Sequence, residues 1–171
     1  MTNESMNERV QQELTDRQAI TDVLVEYCCA LDRMDLPRLA ALFTDDCFVE
    51  YGPEPALRSR GAAELEKSLE RLWRWRRTSH HLSNVQIKFN GRDEARVNSY
   101  VHAWHERPDG TTATILGQYQ DRLVRINERW RIAERRMEMN GCDLGFKVNI
   151  YPFGRIAAPA GWVAPNIERK D

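Results

Sequence analysis

The chain has 171 residues, enough for one domain that buries about two-thirds of its unfolded surface without disulfide or metal support. Its 25 basic and 26 acidic side chains are interspersed and leave a formal net charge of −1, which argues against a nucleic-acid or anionic-membrane partner and for a small substrate. No apolar stretch approaches the roughly 20 residues that cross a bilayer, and the polar start Met1-Thr-Asn-Glu-Ser5 lacks a signal peptide's apolar core, so the expected location is the cytoplasm.

Cys28, Cys29, Cys47 and Cys142 contain no C-x-x-C pair, and neighbours such as Cys28 and Cys29 rarely bond to each other, so free thiols are expected. Residues 1–14 are polar and read as a flexible lead. Thr15 and Gln18 form a capping-box pattern that predicts a helix start. Ile20, Val23, Leu24, Tyr27 and Leu31 recur at helical spacing and define the buried stripe, with Tyr27 inside it and Asp32 at its edge. Asp35 caps a second, short helix with Pro37 in its first turn and Leu36, Leu39, Ala40 and Phe43 facing inward.

Thr44-Asp-Asp46 interrupts that pattern, Cys47 to Tyr51 alternates as a strand does, and Gly52-Pro-Glu-Pro55 reads as a turn. After Gly61 a third helix presents Leu65, Leu69 and Leu72 among charged residues, the pattern of a helix laid on a sheet. From His80 the texture changes to strands over about 80–89, 94–106, 112–126 and 129–140, separated by the hairpin signals Asn90-Gly91, Pro108-Asp-Gly110 and Asn127-Glu128. Helices first and a long antiparallel meander after imply an α+β fold whose sheet curls under its own twist. Residues 141–171, rich in Gly and Pro, read as an irregular C-terminal arm.

An aspartate ending the first helix, Leu39-Ala-Ala-Leu-Phe-Thr-Asp-Asp46 in the second, and Thr78-Ser-His-His-Leu-Ser-Asn84 opening the meander together resemble the SnoaL-like group of the nuclear-transport-factor-2-like superfamily, over about residues 15–140. The resemblance implies a cone-shaped α+β barrel, with three N-terminal helices and a curved, mainly antiparallel sheet around an apolar cavity. Within the group the pattern is most similar to cofactor-independent lyases: bile acid 7α-dehydratase, scytalone dehydratase and hexachlorocyclohexane dehydrochlorinase. Tyr27 and Asp32 reproduce a spacing of the bile acid enzyme, and the family histidine falls on His80; the spacing from His80 to His105 matches a histidine pair of scytalone dehydratase.

These residues suit elimination, which needs a base for a C–H proton beside a carbonyl and an acid for the departing hydroxyl. An Asp32–His80 hydrogen bond would fix the imidazole tautomer and raise its basicity, making His80 the candidate base. Tyr27 is a candidate donor to a substrate oxygen, and His105 a candidate second imidazole. On a straight helix Tyr27 and Asp32 diverge by about 140°, and strict alternation puts His80 opposite Val85, Ile87 and Phe89, so a bulge is required for one shared face. Val49, Tyr51, Leu72, Trp75, Val101, Ile115 and Tyr119 are the expected cavity lining, with core packing as the competing reading of each. His80 and His81 point apart, as do His102 and His105, so no metal site is expected, nor any cofactor.

The reading is therefore a cofactor-independent lyase for a small hydrophobic cyclic molecule such as a steroid or aromatic polyketide. Its alternatives are an isomerase or polyketide cyclase using the same cavity, and a non-catalytic ligand-binding protein or dioxygenase small-subunit-like module. The long meander faces suggest self-association, with a homodimer as the expected oligomer.

Overall fold

The computed structural model describes residues 3–144, 150–152 and 159–161. Its first element, α1 (Asn3–Asp32), begins twelve residues before the Thr15 start read from the capping pattern. Thr15 sits inside the helix, where its Oγ1 donates to the Gln11 carbonyl at 3.0 Å, so the lead expected to be flexible is helical from Asn3. A capping residue that bonds back to position i−4 continues a helix and gives no stop signal. Ile20, Leu24, Tyr27 and Leu31 are buried as the spacing predicts, while Val23 packs only partly.

Helix α1 is docked by more than its apolar stripe. Buried Asp16 accepts from Arg125 Nη2 at 2.6 Å and from Trp130 Nε1 at 3.1 Å, tying the helix to the far strands of the sheet. Charge-assisted bonds of this kind, shielded from water, fix the helix register more sharply than packing alone. After α1, Asp35 caps α2 (Leu36–Ala40) by accepting from the Arg38 N–H.

Strand β1 (Phe43–Glu50) starts earlier than the sequence pattern indicates, taking in Phe43 and the Thr44-Asp-Asp46 segment. The break seen in that segment is a register irregularity between Phe43 and Phe48. Short strand β2 (Arg58–Arg60) and α3 (Ala62–Leu69) follow, and a 3-10 turn over Glu70–Arg74 carries Leu72 beyond the end of the helix proper. The meander comprises β3 (Arg77–Phe89), β4 (Glu94–Glu106), β5 (Thr112–Ile126) and β6 (Arg129–Leu144). Its last hairpin turns through Asn127 and Glu128, both at positive φ, the backbone that a two-residue turn between twisted strands requires.

The sheet runs β2-β1-β6-β5-β4-β3 and curves over α1 and α3. It is open, since its edge strands β2 and β3 do not pair with each other. The fold is thus the expected α+β arrangement with an unclosed cone. The pairing of β1 with β6 is parallel, a long-range contact that no local pattern announces. Two features alter the expected irregular arm. Residues 141–144 extend β6, and β7 (Tyr151–Pro152) pairs with β6 beside Glu138 and Met139; the other arm residues, apart from 150 and 159–161, lie outside the described ones.

Candidate active site

Asp32 ends α1 close to the start of β3, and three donors converge on its carboxylate. His80 Nδ1 lies 2.6 Å from Oδ1, the His80 backbone N–H donates to Oδ2 at 2.8 Å, and Thr78 Oγ1 donates to Oδ1 at 2.8 Å. Burial by itself would raise the Asp32 pKa; the hydrogen bonds from His80 and Thr78 and the His80 ring outweigh it and hold the carboxyl below its ordinary value. An ionised Asp32 orients His80 with Nδ1–H toward the carboxylate, which leaves Nε2 as the basic nitrogen. No hydrogen bond among the described residues uses Nε2, although the His80 side chain is only 5% exposed.

A bulge makes this geometry possible. The β3–β4 register shifts between Ser83 and Gln86, and Asn84 adopts φ = 51°. Thr78, His80 and Leu82 on one side of the shift, and Val85, Ile87 and Phe89 on the other, are partly buried, as is Ser79 between the first two. The extra residue thus brings both sets to the inner face, which simple alternation forbids.

His80 borders a cavity of about 180 Å³ between the sheet, α1 and the 3-10 turn. Tyr27, Tyr51 and Tyr119 form one wall, with the Tyr27 and Tyr51 hydroxyls 2.7 Å apart. Burial pushes the pKa values of all three tyrosines well up, so they are neutral hydroxyl donors. His105 forms another wall, its ring 5.4 Å from that of His80 in an edge-to-face arrangement and 4.9 Å from Trp75. Burial, with a smaller contribution from His80, pushes His105 down to about 4, so it is a neutral imidazole at pH 7. Its buried Nδ1 has no hydrogen-bond partner.

A family profile described as the SnoaL-like domain matches residues 12–136. The chain belongs to the SnoaL-like family. A candidate scytalone dehydratase from Novosphingobium aromaticivorans is 31% identical over 86% of this chain and 99% of its own, with a TM-score of 0.81. A candidate aromatic ring hydroxylase from the same organism is 23% identical over 74% and 90%, TM-score 0.69. A type 2 hexachlorocyclohexane dehydrochlorinase, LinA, is 21% identical over 88% and 98%, TM-score 0.70. The last two likenesses concern the fold alone. No curated protein sequence matches the chain.

In this SnoaL-like domain the expected site residues divide into three groups. Tyr27, His80, His105, Tyr51, Leu72, Trp75, Ile115 and Tyr119 border the cavity. Asp32 stands behind His80 and reaches the cavity through it, which removes the difficulty of its angular distance from Tyr27 on α1. Val49 and Val101 are corrected: both are core residues, 0% and 3% exposed, and neither borders the cavity. Among the described residues no group of three or more His, Cys, Asp and Glu side chains is arranged to hold a metal ion, and no helix is long and apolar enough to cross a membrane.

Two arginines were missed. Arg135 is fully buried, donates twice to Asp121 at 2.8 Å, and stacks its guanidinium 4.0 Å from the Tyr27 ring centroid and 4.2 Å from that of Tyr119. Arg71 borders the cavity beside Tyr51. In the sequence both lie in arginine-rich runs, Arg71-Leu-Trp-Arg-Trp-Arg-Arg77 and Glu134-Arg-Arg136, where alternation alone does not single out the inward residue.

Proposed function

We propose that this SnoaL-like protein is a cofactor-independent lyase that removes water from a small hydroxylated cyclic ketone. The observation that carries the reading is the Asp32–His80 pair on the wall of a half-open, largely apolar cavity. The name of the Novosphingobium relative, a scytalone dehydratase, points the same way. The cavity volume refines the substrate: about 150 Å³ accommodates benzene, so about 180 Å³ suits one ring or a compact pair of rings better than a steroid nucleus.

In the proposed reaction His80 Nε2 takes a proton from the carbon between the carbonyl and the hydroxyl-bearing carbon. The electron pair moves onto the carbonyl oxygen, and the Tyr27–Tyr51 hydroxyl pair donates to that oxygen as it gains charge. Asp32 stabilises the imidazolium and holds its ring in place. The enolate then re-forms the carbonyl and expels the β-hydroxyl, which takes the proton back from His80 and leaves as water. His105, neutral and adjacent, positions the departing hydroxyl. Atoms balance as hydroxy ketone to enone plus water.

The test is incubation with a panel of one- and two-ring β-hydroxy ketones, followed by product mass. Loss of one water from a member of the panel, abolished in Asp32→Asn, is the expected result. A product of unchanged mass would replace dehydration by isomerisation or cyclisation in the same cavity. No turnover with any member, alongside unaltered binding by Asp32→Asn, would turn the reading into a ligand carrier.

A further inference from the structure

The Arg71 guanidinium borders the same cavity as His80, Tyr27 and Tyr51, yet has no carboxylate partner among the described residues. Its Nη1 donates to the Ser68 carbonyl and, at 2.7 Å, to Ser68 Oγ. Its Cζ lies 5.4 Å from the centroid of the Tyr51 ring. Both partners are neutral, and no hydrogen bond among the described residues uses Nε or Nη2. The nearest further charge, Arg74, also borders the cavity and is of like sign; its Nε donates to the Arg71 carbonyl at 2.7 Å.

A cation taken out of water costs several kcal/mol unless it is paired, so proteins rarely leave one against an apolar cavity without a counter-charge. Three other arginines with little exposure obey that rule. Arg135, still more deeply buried, has Asp121; Arg125 has Asp16; Arg122 has Glu94 and Glu134. Burial pushes the Arg71 pKa down, and the like charge of Arg74 adds to the effect. The guanidinium stays charged even so, because its ordinary value lies far above neutrality.

From this juxtaposition we propose that Arg71 is the anion subsite of the cavity, and that the substrate is a one- or two-ring molecule carrying a carboxylate in addition to the reacting hydroxy ketone. The proposal deepens the lyase reading and rests on its choice of cavity. A guanidinium held through Nη1 keeps Nε and Nη2 for a planar two-oxygen acceptor, which a carboxylate provides. The carboxylate would supply the counter-charge that the protein withholds, and Arg74 at the edge would favour its entry.

The test is titration calorimetry at pH 7 with 2-naphthoate and its neutral isostere 2-naphthamide, a binding comparison that needs no turnover. The wild-type protein is expected to bind the carboxylate about 10- to 100-fold more tightly than the amide. In Arg71→Gln that ratio falls to near one, and in Arg71→Lys it is partly retained, with circular dichroism showing that both variants fold. Equal affinities in the wild-type protein, or binding of neither compound, would overturn the subsite. A ratio that survives Arg71→Gln would overturn Arg71 as its residue. These outcomes are separate from the mass test above: a carboxylate preference without any dehydration would keep the subsite and discard the lyase.

Discussion

Two of the carboxylates that meet a basic side chain in the interior, Asp121 and Asp32, differ in a way that separates structure from chemistry. Asp121 and Arg135 are both completely buried and share two parallel hydrogen bonds, and the guanidinium carbon lies over two tyrosine rings. Arg135 keeps one buried nitrogen, Nη1, without a hydrogen-bond partner, but a guanidinium stays protonated near neutrality and so cannot act as a base. Asp32 and His80 make a contact of similar length, but His80 keeps one nitrogen unbonded at a cavity wall. Breaking a fully buried ion pair destabilises the fold, whereas a carboxylate–imidazole pair on a cavity wall is placed to exchange a proton.

The sharpest way to break this contrast is to remove one carboxylate from each pair. Asp32→Asn should lower kcat by about 10²- to 10⁴-fold on the dehydrated substrate, because the amide no longer supports the imidazolium or fixes its tautomer. Its melting temperature should fall by less than that of Asp121→Asn, since the Asp32 carboxylate is partly exposed and contributes stability only through its bonds to His80 and Thr78. Asp121→Asn should do the opposite: it strands a buried guanidinium and costs on the order of 3–5 kcal/mol, read as a fall in urea midpoint, while kcat per folded molecule is largely retained. If Asp32→Asn destabilised as much as Asp121→Asn and left turnover intact, the two pairs would be alike and the contrast would fail.

The third test uses pH. His105 is held near 4 in the fold against an ordinary value of 6.5, so the unfolded chain binds the proton first. Stability from this group is present above pH 6.5 and is lost as pH falls from 6.5 toward 4, reaching a ceiling of about 3 kcal/mol below that. Thermal melts across pH 4–7 should show that slope, and His105→Phe should flatten it. Asp32 adds a loss of the same sign at lower pH, since its depressed carboxyl must be protonated there. A wild-type slope that His105→Phe leaves unchanged would mean that His105 is not buried neutral.

Much of this was legible in the sequence. The helical stripe on α1, the Asp35 cap, and the hairpin signals gave the order of elements, and the odd-numbered positions of β4 that bury Val101, Ala103 and His105 follow directly from alternation. The start of α1 was not, because Thr15 can cap or continue a helix with equal chemistry and only the backbone decides. The parallel β1–β6 pairing was invisible because its partners lie far apart in sequence. Tyr27, His80 and His105, expected to share one cavity, do border it, whereas Arg71 on the cavity and Arg135 behind its tyrosines were lost among neighbouring arginines. Their inward direction depends on the turn after α3 and on the β6 register, neither of which is a local property.

The smallest effect concerns the bulge that brings His80 inward. Asn84 sits at φ = 51°, where a short polar side chain is tolerated and a β-branched one is not. Asn84→Val should therefore cost about 1–2 kcal/mol of stability, whereas Asn84→Gly, which accepts that backbone freely, should be close to neutral. Activity should follow the bulge rather than the stability loss. If valine drives Ser83–Gln86 back toward regular alternation, Thr78, His80 and Leu82 must rotate outward or Val85, Ile87 and Phe89 must, and all three of the latter pack against the core, against Leu82 alone of the former. The core set should win, moving His80 off Asp32, so Asn84→Val should lower kcat more than its fraction unfolded explains. A variant with reduced stability but full kcat would place the His80 orientation under the control of Asp32 and Thr78 alone, and the bulge would then be a consequence of that anchoring.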